Sequence, residues 1–191
     1  AMADRIGGKK AGIVAQSIVI LGLAAAWFFG IPGFSALLGL GVVLGMAGAS
    51  FAIALPLASR WYPVEHKGKA MGIAGAGNSG TVLAALFAPA LGLAFGWTNV
   101  FGLTAILMSV VLALFILLAK DAPGQGPKIS ARDYLSVLGM KDTYWFMLFY
   151  GVTFGGFVGL ASSLPIYFHT QYGLAPVDAG YASAACVFAG S

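Results

Sequence analysis

The chain has 191 residues, of which 60% are hydrophobic and 8% charged, against a share of about 25% charged residues in soluble domains. That balance excludes an ordinary soluble domain, and the single cysteine, Cys186, excludes a disulfide or thiolate metal site within the chain. The net charge of +4 comes from ten Lys and Arg scattered along the sequence, whereas a nucleic-acid reader gathers them on one surface.

The chain opens in the loop-type sequence Ala1-Met2-Ala3-Asp4-Arg5, which is not a signal peptide. Apolar stretches then run from Ala11 to Gly30, Gly33 to Ser59, Ala70 to Phe95, Thr98 to Leu118, Thr143 to Phe168 and Ala179 to Ser191. Each of the first five has the ~20 residues that a helix needs to cross a bilayer. The sixth stops short, as expected of a piece of a longer protein. Gly41 with Gly45, and Gly151, Gly155, Gly159 and Ser163, recur at four-residue spacing, and such ladders predict close helix packing in lipid.

Every Lys and Arg lies in alternate connections: Arg5, Lys9 and Lys10; Arg60, Lys67 and Lys69; Lys120, Lys128, Arg132 and Lys141. Cytoplasmic loops retain such residues, so these three connections are expected inside, and Ile31 to Pro32, Gly96 to Trp97 and His169 to Asp178 outside. Trp27, Phe28, Trp61, Tyr62, Trp97, Tyr144, Trp145 and Tyr167 sit near span ends, as interfacial aromatic belts do. The connection from Lys120 to Asp142 carries Pro123, Gly124, Gly126 and Pro127, which stop a helix. The capping-box pattern Ser130-Ala131-Arg132-Asp133 follows, so Ile129, Tyr134, Leu135, Val137 and Leu138 form either a surface amphipathic helix or a solvated linker. Four spans before this connection and a new set after it fit a transporter built of two halves.

Gly75-Ala76-Gly77-Asn78-Ser79-Gly80 places an amide and a hydroxyl inside the third apolar stretch. The run spells G-x-G-x-x-G, but it follows the charged loop Arg60 to Lys69, and no acid occurs between Glu65 and Asp121. A dinucleotide loop needs a strand before it and an acid roughly 20 residues after it. The Asn78 amide must instead bond a neighbouring helix, a water or a ligand, because a bare amide in hydrocarbon is costly. Its two N–H groups suit an oxyanion, and Gly72, Gly75, Gly77 and Gly80 are denser than helix packing requires, which assigns them in part to a substrate path. Paired acids or His-rich clusters of an enzyme are missing, and His66 beside Glu65 reads as a solvated pair in a basic loop.

Asp4-Arg5-Ile6-Gly7-Gly8-Lys9-Lys10 resembles the motif joining the second and third spans of the major facilitator superfamily. Trp61-Tyr62-Pro63 through Gly72-Ile73-Ala74-Gly75-Ala76-Gly77-Asn78-Ser79-Gly80-Thr81 resembles the fifth-span signature of its nitrate/nitrite porter family. The resemblance implies an all-α membrane protein, a partial helical bundle with about six of twelve transmembrane helices. Residues 1–119 would belong to the N-terminal half, 120–142 to the cytoplasmic inter-half linker, and 143–191 to the start of the C-terminal half. It further implies alternating-access transport of nitrate and/or nitrite by a monomer in a bacterial-type cytoplasmic membrane, with no cofactor and no covalent chemistry. Carry-over by motif position gives Asn78, Tyr150, Phe154 and Phe51 as substrate-binding residues, with Gly75, Gly77, Ser79 and Gly80 around the amide, and Asp4, Arg5 and Gly7 as a cytoplasmic gate. The family's two anion-binding arginines are expected outside this chain. Proton symport and nitrate/nitrite exchange both stay open, and the alternative is a facilitator for another small solute, an organic anion or a drug.

Overall fold

In hydrocarbon a backbone N–H or C=O finds no water, so a spanning segment must bond its own backbone as a helix or close into a barrel. The computed structural model describes residues 7–49, 55, 58–59, 61–120 and 135–190, and every regular element among them is helical. In chain order these are α1 (Gly8–Phe29), α2 (Phe34–Ala49), a 3-10 turn (Val64–His66), α3 (Lys67–Gly75), a second 3-10 turn (Ala76–Ser79), α4 (Gly80–Phe95), α5 (Trp97–Leu118), α6 (Lys141–Tyr172) and α7 (Pro176–Gly190). Among the described residues four helical runs are long and apolar enough to cross a membrane: Gly8–Phe29, Val64–Phe95, Trp97–Leu118 and Lys141–Tyr172. The stretch from Gly33 to Ser59 is helical over the 16 residues of α2 and again at residues 55, 58 and 59.

The outer connection expected from His169 to Asp178 is shorter in the structure. Helix α6 continues through Pro165 to Tyr172 and stops at Gly173, whose φ of 65° is left-handed. The rings of Tyr167, Phe168 and Tyr172 pack together on that last turn. His169 Nδ1 lies 2.7 Å from Leu174 O, tying the turn to the chain beyond it. A left-handed glycine, rather than the polar composition, sets the boundary. His169 and Tyr172 are therefore helical residues and not loop residues.

The chain forms two compact units, Ala1–Gly75 with Phe95–Lys128 and Ala76–Ala94 with Ile129–Ser191. In the first, Val19 and Leu23 of α1 and Ala105 of α5 are buried, and Leu44, Ala47, Phe101 and Met108 pack against them. Lipid tails are as apolar as these side chains, so close packing and interhelical hydrogen bonds hold the contact. Trp27 lies against Gly102, where an added Cβ would meet its ring, and a Cβ on Gly22 would stand 2.5 Å from Val43 Cγ1. Both ends of the α1–α5 pair are fastened. Trp27 Nε1 donates to Asn99 Oδ1 (2.9 Å), Asn99 Nδ2 to Phe95 O (2.6 Å), and Lys9 Nζ to Ile116 O (2.6 Å) in the last turn of α5. An ammonium on a C-terminal carbonyl meets both an orphan acceptor and the negative end of the helix dipole.

In the second unit α7 buries Ala179, Gly180, Ser183, Ala184 and Val187, a stripe at helical spacing. Pro89 inside α4 has no N–H, so Ala85 O loses its helical donor. Gly180 closes on that spot: a Cβ there would lie 2.6 Å from Ala85 O and 2.9 Å from Pro89 Cγ. Among the described residues the glycine ladders expected to pack do not mark the close approaches. Around Gly41, Gly45, Gly151, Gly155 and Gly159 an added Cβ would meet nothing within 4 Å. Four-residue spacing places small residues on one face without saying whether a neighbour lies there.

Candidate functional site

The glycine-rich run interrupts the helical run Val64–Phe95. Gly75 ends α3, Ala76 to Ser79 form the 3-10 turn, and Gly80 opens α4. A 3-10 turn within a helix is a tighter winding, often found at functional positions. Ser79 Oγ donates to Ala76 O (2.6 Å) and Thr81 Oγ1 to Asn78 O (2.6 Å), so two carbonyls of the turn have hydroxyl partners. Asn78 is half-buried, and its side chain makes no hydrogen bond to another described residue. Gly72, Gly75, Gly77 and Gly80 each face open space, where an added Cβ meets nothing within 4 Å. Among the described residues no helix packs against these four glycines.

Tyr150 and Phe154 stack on α6, with ring centroids 5.1 Å apart and planes at 16°. Their four-residue separation puts them on one helix face, and Tyr150 is exposed while Phe154 is half-buried. Thr153 Oγ1 bonds Phe149 O at 2.7 Å within the same turn. Asn78 and the ring pair belong to one compact unit, but no described hydrogen bond or ring contact joins them. Phe51, Asp4 and Arg5 lie outside the described residues. Gly7 precedes α1 with φ 91°, a conformation that side-chain-bearing residues rarely adopt, which accounts for glycine at that position of the motif.

Three features escaped the sequence. Lys9, an orientation charge and a basic residue of the Asp4–Lys10 motif, also bonds Ile116 O in α5. Thr81, quoted within the signature without a role, bonds the carbonyl of Asn78. Gln16 holds a buried Oε1 with no hydrogen-bond partner in the structure. No periodicity reveals these features, because the Lys9 bond and the burial of Gln16 depend on which helix lies opposite and the Thr81 bond depends on the local winding. Glu65 and His66 are both exposed in their 3-10 turn, as a solvated pair should be. Among the described residues no three His, Cys, Asp or Glu side chains come together.

The family model described as Major Facilitator Superfamily matches residues 1–191. Among curated proteins, the chain is similar to a probable nitrate/nitrite transporter of Mycobacterium tuberculosis, 33% identical over 182 residues, covering 94% of this chain and 46% of the relative. It is similar also to a nitrite extrusion protein of Bacillus subtilis, 35% identical over 145 residues, with 75% of this chain and 36% of the relative covered. A probable nitrate/nitrite antiporter of Thermus thermophilus is 31% identical over 208 residues, covering 100% of this chain and 45% of the relative. The chain thus spans about half the length, or less, of these relatives. No solved structure matches it.

Proposed function

This chain belongs to the Major Facilitator Superfamily, and from that premise we propose that its protein moves nitrate and/or nitrite across a bacterial-type cytoplasmic membrane by alternating access. Three relatives named for nitrate or nitrite transport support the substrate. The observation that carries the reading is the Asn78 amide, half-buried in an apolar helical run and bonded to no described side chain or backbone group. An amide in hydrocarbon gains most from an acceptor that arrives with the cargo, and its N–H groups can donate to an anion without adding charge of their own to the site.

In this reading Asn78 N–H donates to an anion oxygen, and the flat, stacked pair Tyr150 and Phe154 offers a wall to a planar ion. Gly77 and Gly80 leave clearance beside the amide. Ser79 has already committed its proton to Ala76 O, so its effect passes through the backbone. Asp4, Arg5 and Gly7 form the cytoplasmic gate, and the basic connections face the cytoplasm. Residues 1–119 and 143–191 belong to two halves that rock about a midplane site, joined by the linker 120–142.

The test is labelled nitrate uptake by proteoliposomes holding the complete protein, with the lumen empty, preloaded with nitrite, or set against a proton gradient. Uptake is expected, and Asn78→Ala is expected to weaken apparent affinity by about tenfold or more, the worth of a hydrogen bond to a charged partner. Uptake that requires luminal nitrite identifies exchange, as the name of the Thermus relative suggests; uptake driven by protons identifies symport. No uptake in any condition overturns the nitrate reading and leaves the family alone standing.

A further inference from the structure

Hydroxyls within the helices of this protein normally bond the carbonyl four residues back: Thr104 to Val100, Ser109 to Ala105, Ser162 to Val158, Ser163 to Gly159 and Ser183 to Ala179. Ser79 and Thr81 depart from this. Each bonds the carbonyl three residues back, Ala76 O and Asn78 O, both at 2.6 Å. Three residues is the spacing of the 3-10 ladder itself, and the two bonds bracket the turn that holds Asn78. We propose that Ser79 and Thr81 are positioning residues for the Asn78 amide, their hydroxyls holding the 3-10 turn in which it sits and so setting the direction of its side chain.

The geometry gives the effect its size. An α-helix advances ~100° and 1.5 Å per residue, a 3-10 helix ~120° and 2.0 Å. Over the four residues Ala76–Ser79 the difference accumulates to ~80° of rotation and ~2 Å of length. A binding group must be held to about 10–20° and 0.5 Å. Relaxation of the turn toward α geometry would therefore swing Asn78 out of register. The glycines at 75, 77 and 80 have no side chains to select one winding, and nothing within 4 Å presses on them from outside. The hydroxyls beside them supply the selection.

The inference rests on the nitrate reading only for its substrate, and the experiment separates the two. In the complete protein, nitrate affinity is measured for Ser79→Ala with Thr81→Val, alone and combined with Asn78→Ala. The hydroxyl variants are expected to weaken binding by about three- to thirtyfold when Asn78 is present, and by less than about twofold when it is already Ala, because they act through one another. Thr81→Ser in the otherwise unchanged protein, which keeps the hydroxyl, is expected to retain wild-type affinity. Equal losses in both backgrounds would overturn the proposal, since the hydroxyls would then act independently of the amide. A second readout needs no substrate. With other cysteines removed, the modification rate of Asn78→Cys by a small thiosulfonate reagent is compared with and without the hydroxyl variants. A change of about fivefold or more supports positioning, and an unchanged rate overturns it, even if the protein proves not to bind nitrate.

Discussion

The α1–α5 pair and the Asn78 turn use glycine for opposite purposes. In the pair, Gly102 is covered by Trp27, Gly22 of α1 is covered by Val43 of α2, and the ends of α1 and α5 are fastened by Trp27–Asn99 and Lys9–Ile116 hydrogen bonds. In the turn, Gly75, Gly77 and Gly80 face open space and the Asn78 amide has no described partner. The first region holds two helices at a close, fixed distance. The second keeps a polar group accessible inside an apolar segment. A membrane helix therefore shows its purpose less by how many glycines it carries than by what stands opposite them.

The largest expected effect is in the packed region. Gly102→Val would drive a branched side chain into the Trp27 ring, and overpacking of this kind costs about 1–3 kcal/mol. Thermal unfolding of the complete protein in detergent should show a clear fall in melting temperature; an unchanged value would mean that Trp27 moves aside freely and that the pair is not tightly set.

A smaller loss is expected from Trp27→Phe, which keeps a ring over Gly102 but deletes the donor to Asn99 Oδ1. One uncharged hydrogen bond is worth about 1 kcal/mol. Replacing Asn99 by Leu as well should cost less than the two single changes together, because no unpaired amide is left. Strict additivity would show that the clasp contributes nothing of its own.

Least of all should stability respond to Gly77→Ala. No neighbour meets the new methyl, and alanine gains up to about 1 kcal/mol in helix preference over glycine. Melting should hold or rise slightly while nitrate uptake falls, since the methyl fills the clearance beside Asn78. Destabilisation as large as that of Gly102→Val would erase the distinction between the two regions.

Much of this architecture was legible from residues alone. The runs Gly8–Phe29, Trp97–Leu118 and Lys141–Tyr172 follow the apolar stretches closely, because uninterrupted apolar sequence in lipid leaves the backbone no choice but to bond itself. The four-residue spacing of Tyr150 and Phe154 likewise anticipates their shared helix face, and the structure stacks them. The end of α6 was misjudged because His169, Thr170 and Gln171 look like loop residues, whereas the helix runs on to the left-handed Gly173. The ladders at Gly41 and Gly151 meet no described neighbour within 4 Å, since spacing names a face but not what lies against it.

The sequence by itself determined that this is a multi-pass helical membrane protein of a recognisable family, because hydrophobicity, motif residues and span length are properties of local chain chemistry. Only the structure decided that Lys9 caps α5, that Gly180 closes on the carbonyl freed by Pro89, and that Ser79 and Thr81 bond the carbonyls three residues back, Ala76 O and Asn78 O. The first two depend on which helix stands opposite. The last depends on a choice between bonding three or four residues back, which lies too close in energy for composition to settle.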